Sequence, residues 1–252
     1  APFLKQRLES IITQTFQDFE VIILDDCSTD KSKEIIERYR DNPKVKHIVY
    51  NETNSGSPFK QWEKGIHLAR GKYIWIAESD DWCEPSLLEN LYKPLEHDEK
   101  CVISYCQSYC VDAEDNIKWL SQHHQLEETQ HGADFISSKL LYGNSIFNAS
   151  MALWRKDLYK EVSPTFTTFK FCGDWLFWIE LANRGNVHIN GRLLNYFRKH
   201  DDDVSGKSYK SGLNFIEELR IIDIMFKESL IDKHQYKTAY ERKFKQYRKV
   251  KA

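Results

Sequence analysis

The stretch KYIWIAESDDWCE, residues 72–84, changes abruptly from apolar to acidic. Its first half, residues 73–77, is a short run of β-favouring side chains, which is typical of a buried strand. Glu78, Asp80 and Asp81 follow directly. Ligands of open α/β sheets bind at the carboxyl ends of the strands. The pattern therefore predicts a binding site built around these three acids.

Two of these acids are candidate ligands for a divalent cation. If the chain stays extended, Glu78 and Asp80 point to the same side, because strand side chains alternate. Crowded carboxylates raise each other's pKa, and a bound cation relieves their repulsion. Oxygen ligands suit Mg²⁺ or Mn²⁺. The alternative is an acidic turn that only caps the next helix.

A second acidic group follows another predicted strand, residues 19–24. Asp25 and Asp26 end this strand, and a helix is predicted over residues 31–40. Capping of that helix accounts for Thr29 or Asp30, but it does not account for the acidic pair before them. Strands and helices alternate through this part of the chain, which predicts an α/β domain with a mainly parallel sheet flanked by helices.

The composition limits the class of protein. The 252 residues are 41% hydrophobic and 13% aromatic, enough for one large domain or two small ones. A net charge of −2 gives no general attraction for nucleic acid, so no nucleic-acid partner is expected. No apolar run approaches the ~20 residues of a membrane span, and no secretory signal is recognisable. Six cysteines without a paired C-x-x-C motif argue against zinc and fit a reducing cytoplasm.

The second half of the chain carries further predicted elements. These are a helix over 86–93 interrupted by Pro94, a strand over 101–109 with a hairpin partner over 117–120, a mobile polar loop over 121–130, an exposed segment over 165–170, a buried helix over 173–183, strand-like segments over 187–189 and 193–197, and helices over 211–229 and 231–251.

Two of these helices bear on function. Asp174 stands at the start of the apolar helix, where the helix dipole alone also favours an acid. The last helix is basic and carries an aromatic stripe at Tyr236, Tyr240, Phe244 and Tyr247, which indicates packing. Its basic face predicts peripheral contact with anionic lipid at the inner face of the cell membrane. A solvated helix is the alternative.

Four segments, taken in order, resemble the family 2 inverting glycosyltransferases with their Rossmann-like GT-A fold. They are SIITQTFQDFEVIILDDCSTD (10–30), NSGSPFKQWEKGIHLARGKYIWIAESDD (54–81), GDW (173–175) and NYFRKHDDDVSG (195–206). The resemblance implies a domain over 1–205, with a nucleotide-sugar-binding half (1–109) and an acceptor-binding half (110–205). A helical extension over 206–252 follows, and the family's first strand is expected to be missing before Ala1.

The resemblance also implies roles for individual residues. Asp174 is the expected general base. Asp80 is the expected main ligand of Mn²⁺ or Mg²⁺, with Glu78 at the first acidic position and His200 near the diphosphate or the metal. The expected donor-binding residues are Asp25, Asp26, Asn54, Lys60, Glu78, Ser79 and Asp81. Two positions depart from the family pattern: Glu78 stands in place of Asp, and Gly173 in place of an acid.

The implied activity is metal-dependent transfer, with inversion, of a sugar from a nucleotide diphosphate to a hydroxyl. A UDP-sugar is the expected donor and a glycan or lipid-linked molecule the expected acceptor, in bacterial surface polysaccharide synthesis. Two alternatives remain open. A nucleotidyltransferase normally needs a Gly-rich phosphate loop, which is not present here. A catalytically silent protein that binds nucleotide-sugar or glycan is compatible with the departures at Glu78 and Gly173.

Overall fold

A computed structural model describes residues 1–199 and 212–251. The strands are β1 (Val21–Asp25), β2 (Val45–Tyr50), β3 (Tyr73–Trp75), β4 (Trp82–Cys83), β5 (Cys101–Val111), β6 (Ile117–Leu120), β7 (Glu127–His131), β8 (Ala152–Arg155) and β9 (Asn186–Arg198). The α-helices are α1 (Leu4–Ile12), α2 (Ser32–Glu37), α3 (Pro58–Leu68), α4 (Leu87–His97), α5 (Gly132–Phe135), α6 (Gly173–Ala182), α7 (Leu213–Lys227) and α8 (Lys233–Lys251). A π-helical turn, Ile136–Leu140, continues α5, and 3₁₀ turns span Ala149–Met151, Lys156–Glu161 and Pro164–Thr168.

The strands form two sheets. β1 and β2 pair in parallel, and seven strands form a larger sheet in the order β3-β8-β5-β9-β4, with β6 added to β5 and β7 to β9. Within the described part of the larger sheet, β5 with β9 is the one parallel pairing. The α/β class is confirmed, but the expectation of mainly parallel pairing was wrong. The short connection from β5 to β6 is one cause, because a tight turn can join only antiparallel strands.

Three segments differ from the sequence prediction. Pro94 lies inside α4, which continues to His97 because the loss of one hydrogen bond is offset by fully buried leucines such as Leu91. Part of the predicted polar loop is the edge strand β7, which pairs with β9 through backbone bonds that need no apolar side chains. The segment predicted to be exposed buries Phe166 and Phe169, because residues three apart share one side of a 3₁₀ turn.

The main hydrophobic core surrounds α6. Nine of the ten residues of this helix are buried, and Asp174 is the exception. The predicted buried helix is thus confirmed, and it is held on all sides by apolar neighbours. A second, much smaller core lies between α1, α2 and β1, and its buried residues are Leu8, Ile11, Val21, Ile23 and Ile36.

The C-terminal helices pack on the main core through Ile221 and Met225 of α7 and Ala239 of α8. Part of the aromatic stripe packs as predicted, since Tyr236 lies 4.6 Å from Phe226 between ring centroids. Within residues 1–199 and 212–251, no helix combines the length and apolar composition needed to cross a membrane. The predicted boundary between residues 205 and 206 lies outside the described residues and stays a prediction.

Candidate active site

Glu78 follows β3 and anchors the acidic stretch in the interior. Its Oε1 accepts a hydrogen bond of 3.1 Å from Trp62 Nε1, and its backbone N donates to Ser150 Oγ at 3.0 Å. Burial raises the pKa of the Glu78 carboxyl, and the neighbouring charge of Asp80 raises it further. A bound cation would relieve both effects, so the chemistry of this pair fits the predicted metal site.

Asp81 is more deeply buried than Asp80, and both of its carboxylate oxygens accept hydrogen bonds from the protein. Its Oδ1 accepts a hydrogen bond of 3.0 Å from Arg198 N, and its Oδ2 accepts one from Asn148 Nδ2. Burial, and after it the charge of Asp80, raises the pKa of Asp81 to about 7. The side chain is only 1% exposed. These contacts favour a role in supporting the acidic stretch over direct contact with a donor.

Few side chains are available as ligands for a cation. Among the side chains that the structure describes, no group of three His, Cys, Asp or Glu residues is arranged to hold a metal ion. Asp80 is half-buried and acts on the pKa of both acidic neighbours. Mg²⁺ is commonly held by one or two carboxylates plus water and substrate phosphates, so Asp80 and Glu78 are sufficient ligands of that kind. The predicted metal contact of His200 lies outside the described residues.

Asp174 is the only residue of α6 that is not buried. Its Oδ2 accepts a hydrogen bond of 2.8 Å from Asn144 Nδ2. Burial raises the pKa of Asp174 to about 7, and the charge of Glu78 contributes to the rise. Glu78, which follows β3, and Asp174, the predicted base, therefore lie close enough to interact electrostatically. A carboxylate that titrates near neutral pH is suited to proton transfer.

Gly173 shows why this chain lacks an acid before Asp174. A Cβ atom built on Gly173 would lie 2.5 Å from the Phe166 carbonyl oxygen and 2.6 Å from Phe59 Cε2. Any side chain would therefore collide with backbone and with a core ring. The departure from the family pattern is thus accompanied by close packing at the start of α6.

The acids after β1 differ in how the protein uses them. Asp25 is buried, and its carboxyl accepts a hydrogen bond of 3.2 Å from Ser28 N. Asp26 accepts bonds from Asn51, Ser55 and Gln61. Burial raises the pKa of Asp26, but the bonds from Ser55 and Asn51 outweigh it, so the pKa is lowered. Asp26 is thus an ionised anchor for the loop before α3, and Asp25 has more capacity to bind a ligand.

The remaining predicted donor-binding residues are distributed around this loop. Asn54 donates to the Asp26 carbonyl at 3.0 Å and accepts from Gly56 N at 2.8 Å. Lys60 Nζ donates to the Ser55 carbonyl at 3.3 Å, and its side chain is exposed.

A cavity of about 1230 Å³ connects the ends of β1 and β3. Its lining brings together five of the predicted site residues, which are Asp25, Asp26, Asn54, Glu78 and Ser79. The predicted site residues that the structure describes but that do not line it are Lys60, Asp80, Asp81 and Asp174. Asp174 is linked to the cavity through the charge of Glu78. The volume exceeds the roughly 300–1,000 Å³ of typical ligand pockets.

Arg7 is a charged residue of this cavity that sequence reasoning missed. It is 1% exposed, its guanidinium lies 4.8 Å from the Trp75 ring centroid, and none of its three side-chain nitrogens is hydrogen-bonded within the described chain. Its charge offsets part of the rise in the pKa values of Glu78 and Asp81. On an amphipathic helix, an arginine beside Leu8 is normally interpreted as part of the solvent face, which is why the pattern gave no signal.

Sequence reasoning also missed the loop before β8. Asn144 bonds to Asp174, Asn148 to Asp81, and Ser150 to the backbone of Glu78. The signal available in the sequence was the pair of asparagines four residues apart in GNSIFNAS, residues 143–150, shortly before β8.

Arg198 does not supply free positive charge near a phosphate. Its guanidinium carbon lies 4.0 Å from the Phe3 ring centroid and 4.6 Å from that of Trp82. Its nitrogens donate to the carbonyls of Asp80 and Asp112, among other acceptors. Arg198 thus holds β9 against the acidic stretch.

Known proteins resemble this chain in sequence and in fold. Residues 1–163 match the family profile described as Glycosyl transferase family 2. The chain belongs to glycosyl transferase family 2. Among similar proteins, the putative teichuronic acid biosynthesis glycosyltransferase TuaG of Bacillus subtilis is 32% identical over 213 residues, which are 83% of this chain and 79% of TuaG. The poly(ribitol-phosphate) beta-N-acetylglucosaminyltransferase TarS of Staphylococcus aureus is 26% identical over 229 residues, covering 88% of this chain.

Solved structures of TarS residues 1–349 share the fold. The complex with UDP-GlcNAc superposes with a TM-score of 0.69 at 20% identity, covering 94% of this chain and 66% of that one. The complex with UDP gives a TM-score of 0.68 at 21% identity. The chain spans only 38% of the length of the whole S. aureus relative. The predicted resemblance and fold are confirmed for this family 2 chain, and its activity and the roles of single residues stay predictions.

Proposed function

We propose that this chain transfers a sugar from a UDP-linked donor to an acceptor hydroxyl, with inversion and with the help of a divalent cation. The observation that carries the proposal is Asp174, a partly open carboxylate with a pKa of about 7, electrostatically coupled to Glu78 at the end of β3. Family membership and the likeness to structures that hold UDP and UDP-GlcNAc support the choice of donor.

In the proposed reaction, Asp174 accepts the proton of the acceptor hydroxyl as its oxygen attacks the anomeric carbon. The bond from that carbon to the diphosphate oxygen breaks at the opposite face, and UDP departs. A single displacement inverts the anomeric centre. A pKa near neutral lets Asp174 be ionised before attack while still retaining affinity for the proton. The Asn144 hydrogen bond orients the carboxylate.

Asp80 and Glu78 would hold Mg²⁺ or Mn²⁺, which would neutralise the negative charge that develops on the departing diphosphate. Asp25 and the loop anchored by Asp26 would receive the nucleoside, and Asn54 and Ser79 lie on the same cavity.

The deciding experiment is calorimetric titration of UDP with and without Mn²⁺, followed by a transfer assay with UDP-sugars. We expect metal-dependent UDP binding that Asp80→Ala abolishes, and transfer that Asp174→Asn abolishes without loss of UDP binding. Glu89→Ala is a matched control, because Glu89 is a carboxylate on α4 that bonds to Lys93 at the surface and does not line the cavity. Unchanged metal dependence in Asp80→Ala would remove Asp80 from the cation site.

A catalytically silent donor-binding protein is the second candidate. The hydrogen bond from Trp62 to Glu78 and the scarcity of metal-ligating groups among the described side chains favour it. Binding of UDP without turnover of any of the UDP-, GDP- and dTDP-sugars would support this candidate over transfer.

The proposed acceptor is a glycan or a lipid-linked molecule in surface polysaccharide synthesis, in keeping with the names of the two relatives. Exposed Tyr240 and Phe244 on the basic helix α8 support peripheral membrane contact from a cytoplasmic position. Sedimentation with vesicles that contain anionic lipid, and not with neutral vesicles, is the expected result.

A further inference from the structure

Three apolar side chains next to the site are exposed. Ile117 is 58% exposed, Trp119 37% and Phe147 41%. The rings of Trp119 and Phe147 meet edge to face, with centroids 5.1 Å apart and an interplanar angle of 73°. A register shift in β6 pairs Trp119 with Cys110 but Ile117 with Val111, so these two side chains do not share a face of the hairpin. We call the two rings, Trp119 and Phe147, the aromatic shelf. Exposed apolar clusters of this kind often mark binding surfaces.

The shelf adjoins the loop that is hydrogen-bonded to Asp174 and Asp81. Phe147 lies between Asn144, which donates to Asp174 at 2.8 Å, and Asn148, which donates to Asp81. A ligand that contacts the Phe147 ring would therefore lie against the loop that is hydrogen-bonded to Asp174 and Asp81.

The sheet brings Trp119 to the same place. Trp119 pairs with Cys110, and Ser108 is the next residue on that face of β5. Asn195 Nδ2 donates to Ser108 Oγ at 3.0 Å and to Asn148 Oδ1 at 3.2 Å. Hydrogen bonds thus connect Ser108, two residues along β5 from the partner of Trp119, through Asn195 and Asn148 to Asp81.

We propose that the aromatic shelf binds a neutral pyranose ring of the acceptor and presents one of its hydroxyls to Asp174. This inference rests on the proposed transfer function. The C–H face of a pyranose is apolar and flat, which suits contact with two exposed rings, and its hydroxyls suit the polar loop beside them. Neither shelf side chain is ionisable, so the shelf itself offers no partner for an anionic group.

The shelf is also separate from the donor side. Neither ring lines the cavity that holds Asp25, Asn54 and Glu78. Donor and acceptor would therefore approach from different sides. The shelf would contribute by holding the acceptor in place, which lowers its KM without changing the chemistry at the anomeric carbon.

The test uses Trp119→Ala and Phe147→Ala, with Phe244→Ala as the matched control, because Phe244 is an aromatic residue 52% exposed on α8. Saturation-transfer difference NMR is recorded with the methyl β-D-pyranosides of glucose, galactose and N-acetylglucosamine, with UDP present. We expect saturation of ring C–H protons in the wild-type protein and in the control, and its loss in both shelf variants. Trp119→Phe should retain most of the signal.

Kinetics and stability separate binding from folding. With a glycoside that accepts sugar, each alanine variant should raise the acceptor KM at least about tenfold while kcat, the Kd of UDP and Tm stay near wild-type values. No saturation of any of the three glycosides in the wild-type protein, or an equal loss in Phe244→Ala, would overturn the shelf proposal. UDP calorimetry judges the donor site separately, and turnover of UDP-sugars judges the transfer function, because the shelf residues do not line the donor cavity.

Discussion

Replacing Asp174 with Asn separates catalysis from stability. Asn keeps the size of the side chain and an oxygen that can accept the Asn144 hydrogen bond, but it cannot take a proton from the acceptor. Loss of a general base typically lowers the rate about 10²–10⁴-fold. We therefore expect transfer to fall by about that factor while the Kd of UDP stays the same.

The stability effect follows from the raised pKa of Asp174. The pKa rises from 3.8 to about 7 on folding, so the folded protein binds the proton more tightly than the unfolded chain. Stability from this group is present below pH 4 and is lost as the pH rises towards 7. A rise of about 3 pKa units, at about 1.4 kcal/mol each, sets a ceiling near 4 kcal/mol. Because solvent reaches this side chain, we expect about 1–2 kcal/mol between pH 5 and pH 8.

Asn carries no charge at any of these pH values. The variant should therefore not show the loss of stability that Asp174 causes in the wild-type protein between pH 5 and pH 8. Relative to wild type, its Tm should rise by about 2–8 °C between pH 5 and pH 8, as judged by thermal unfolding monitored by circular dichroism. Transfer measured as UDP release should meanwhile remain low throughout. Wild-type rates in the variant, or a Tm difference that does not change with pH, would refute the assignment of Asp174 as a base that titrates near neutrality.

Further substitutions check the packing around the site. Gly173→Ala should lower stability by about 1–3 kcal/mol because a Cβ has no room there, whereas Gly143→Ala, where the nearest atom is 4.0 Å away, should be nearly neutral in urea unfolding. Phe166→Ala should lower the free energy of unfolding by about 3–5 kcal/mol, and Lys170→Ala by less than about 0.5 kcal/mol, because only the phenylalanine is buried. Asn144→Ala should move the acid limb of the pH–rate profile to higher pH, because its hydrogen bond lowers the pKa of the Asp174 carboxyl; an unmoved limb would show that this carboxyl does not set the limb.

Elements with strong local patterns could be predicted from sequence. Runs of apolar residues that end in polar ones predicted three features of the fold. These are the strand that ends at Asp25, the helix that begins at Gly173 and the acids after β3. These patterns reflect burial, and burial along one element is a local property of the sequence. The candidate site was predictable to the same extent, because the carboxyl ends of strands hold it.

Contacts between distant segments could not be predicted. The Asn144–Asp174 bond joins residues 30 apart, and the Asn148–Asp81 bond joins residues 67 apart. No periodicity records which loop will lie over which helix. The pairing of β7 with β9 depends on backbone hydrogen bonds, so its polar side chains gave no signal. Arg7 was hidden for a related reason, since its burial depends on the tertiary cavity and not on its own helix.

The division of the apolar interior into two unequal clusters bears on how the molecule opens. The smaller cluster has only five buried residues to support α1, α2 and β1, whereas α6 alone buries nine. Cooperative units with little buried apolar surface exchange their amide hydrogens through low-energy openings. The amides of β1 should therefore exchange with deuterium well before those of β5. Binding of a nucleotide beside Asp25 would slow that exchange selectively, so ligand recognition and the ordering of the less stable part of the chain would be one thermodynamic event.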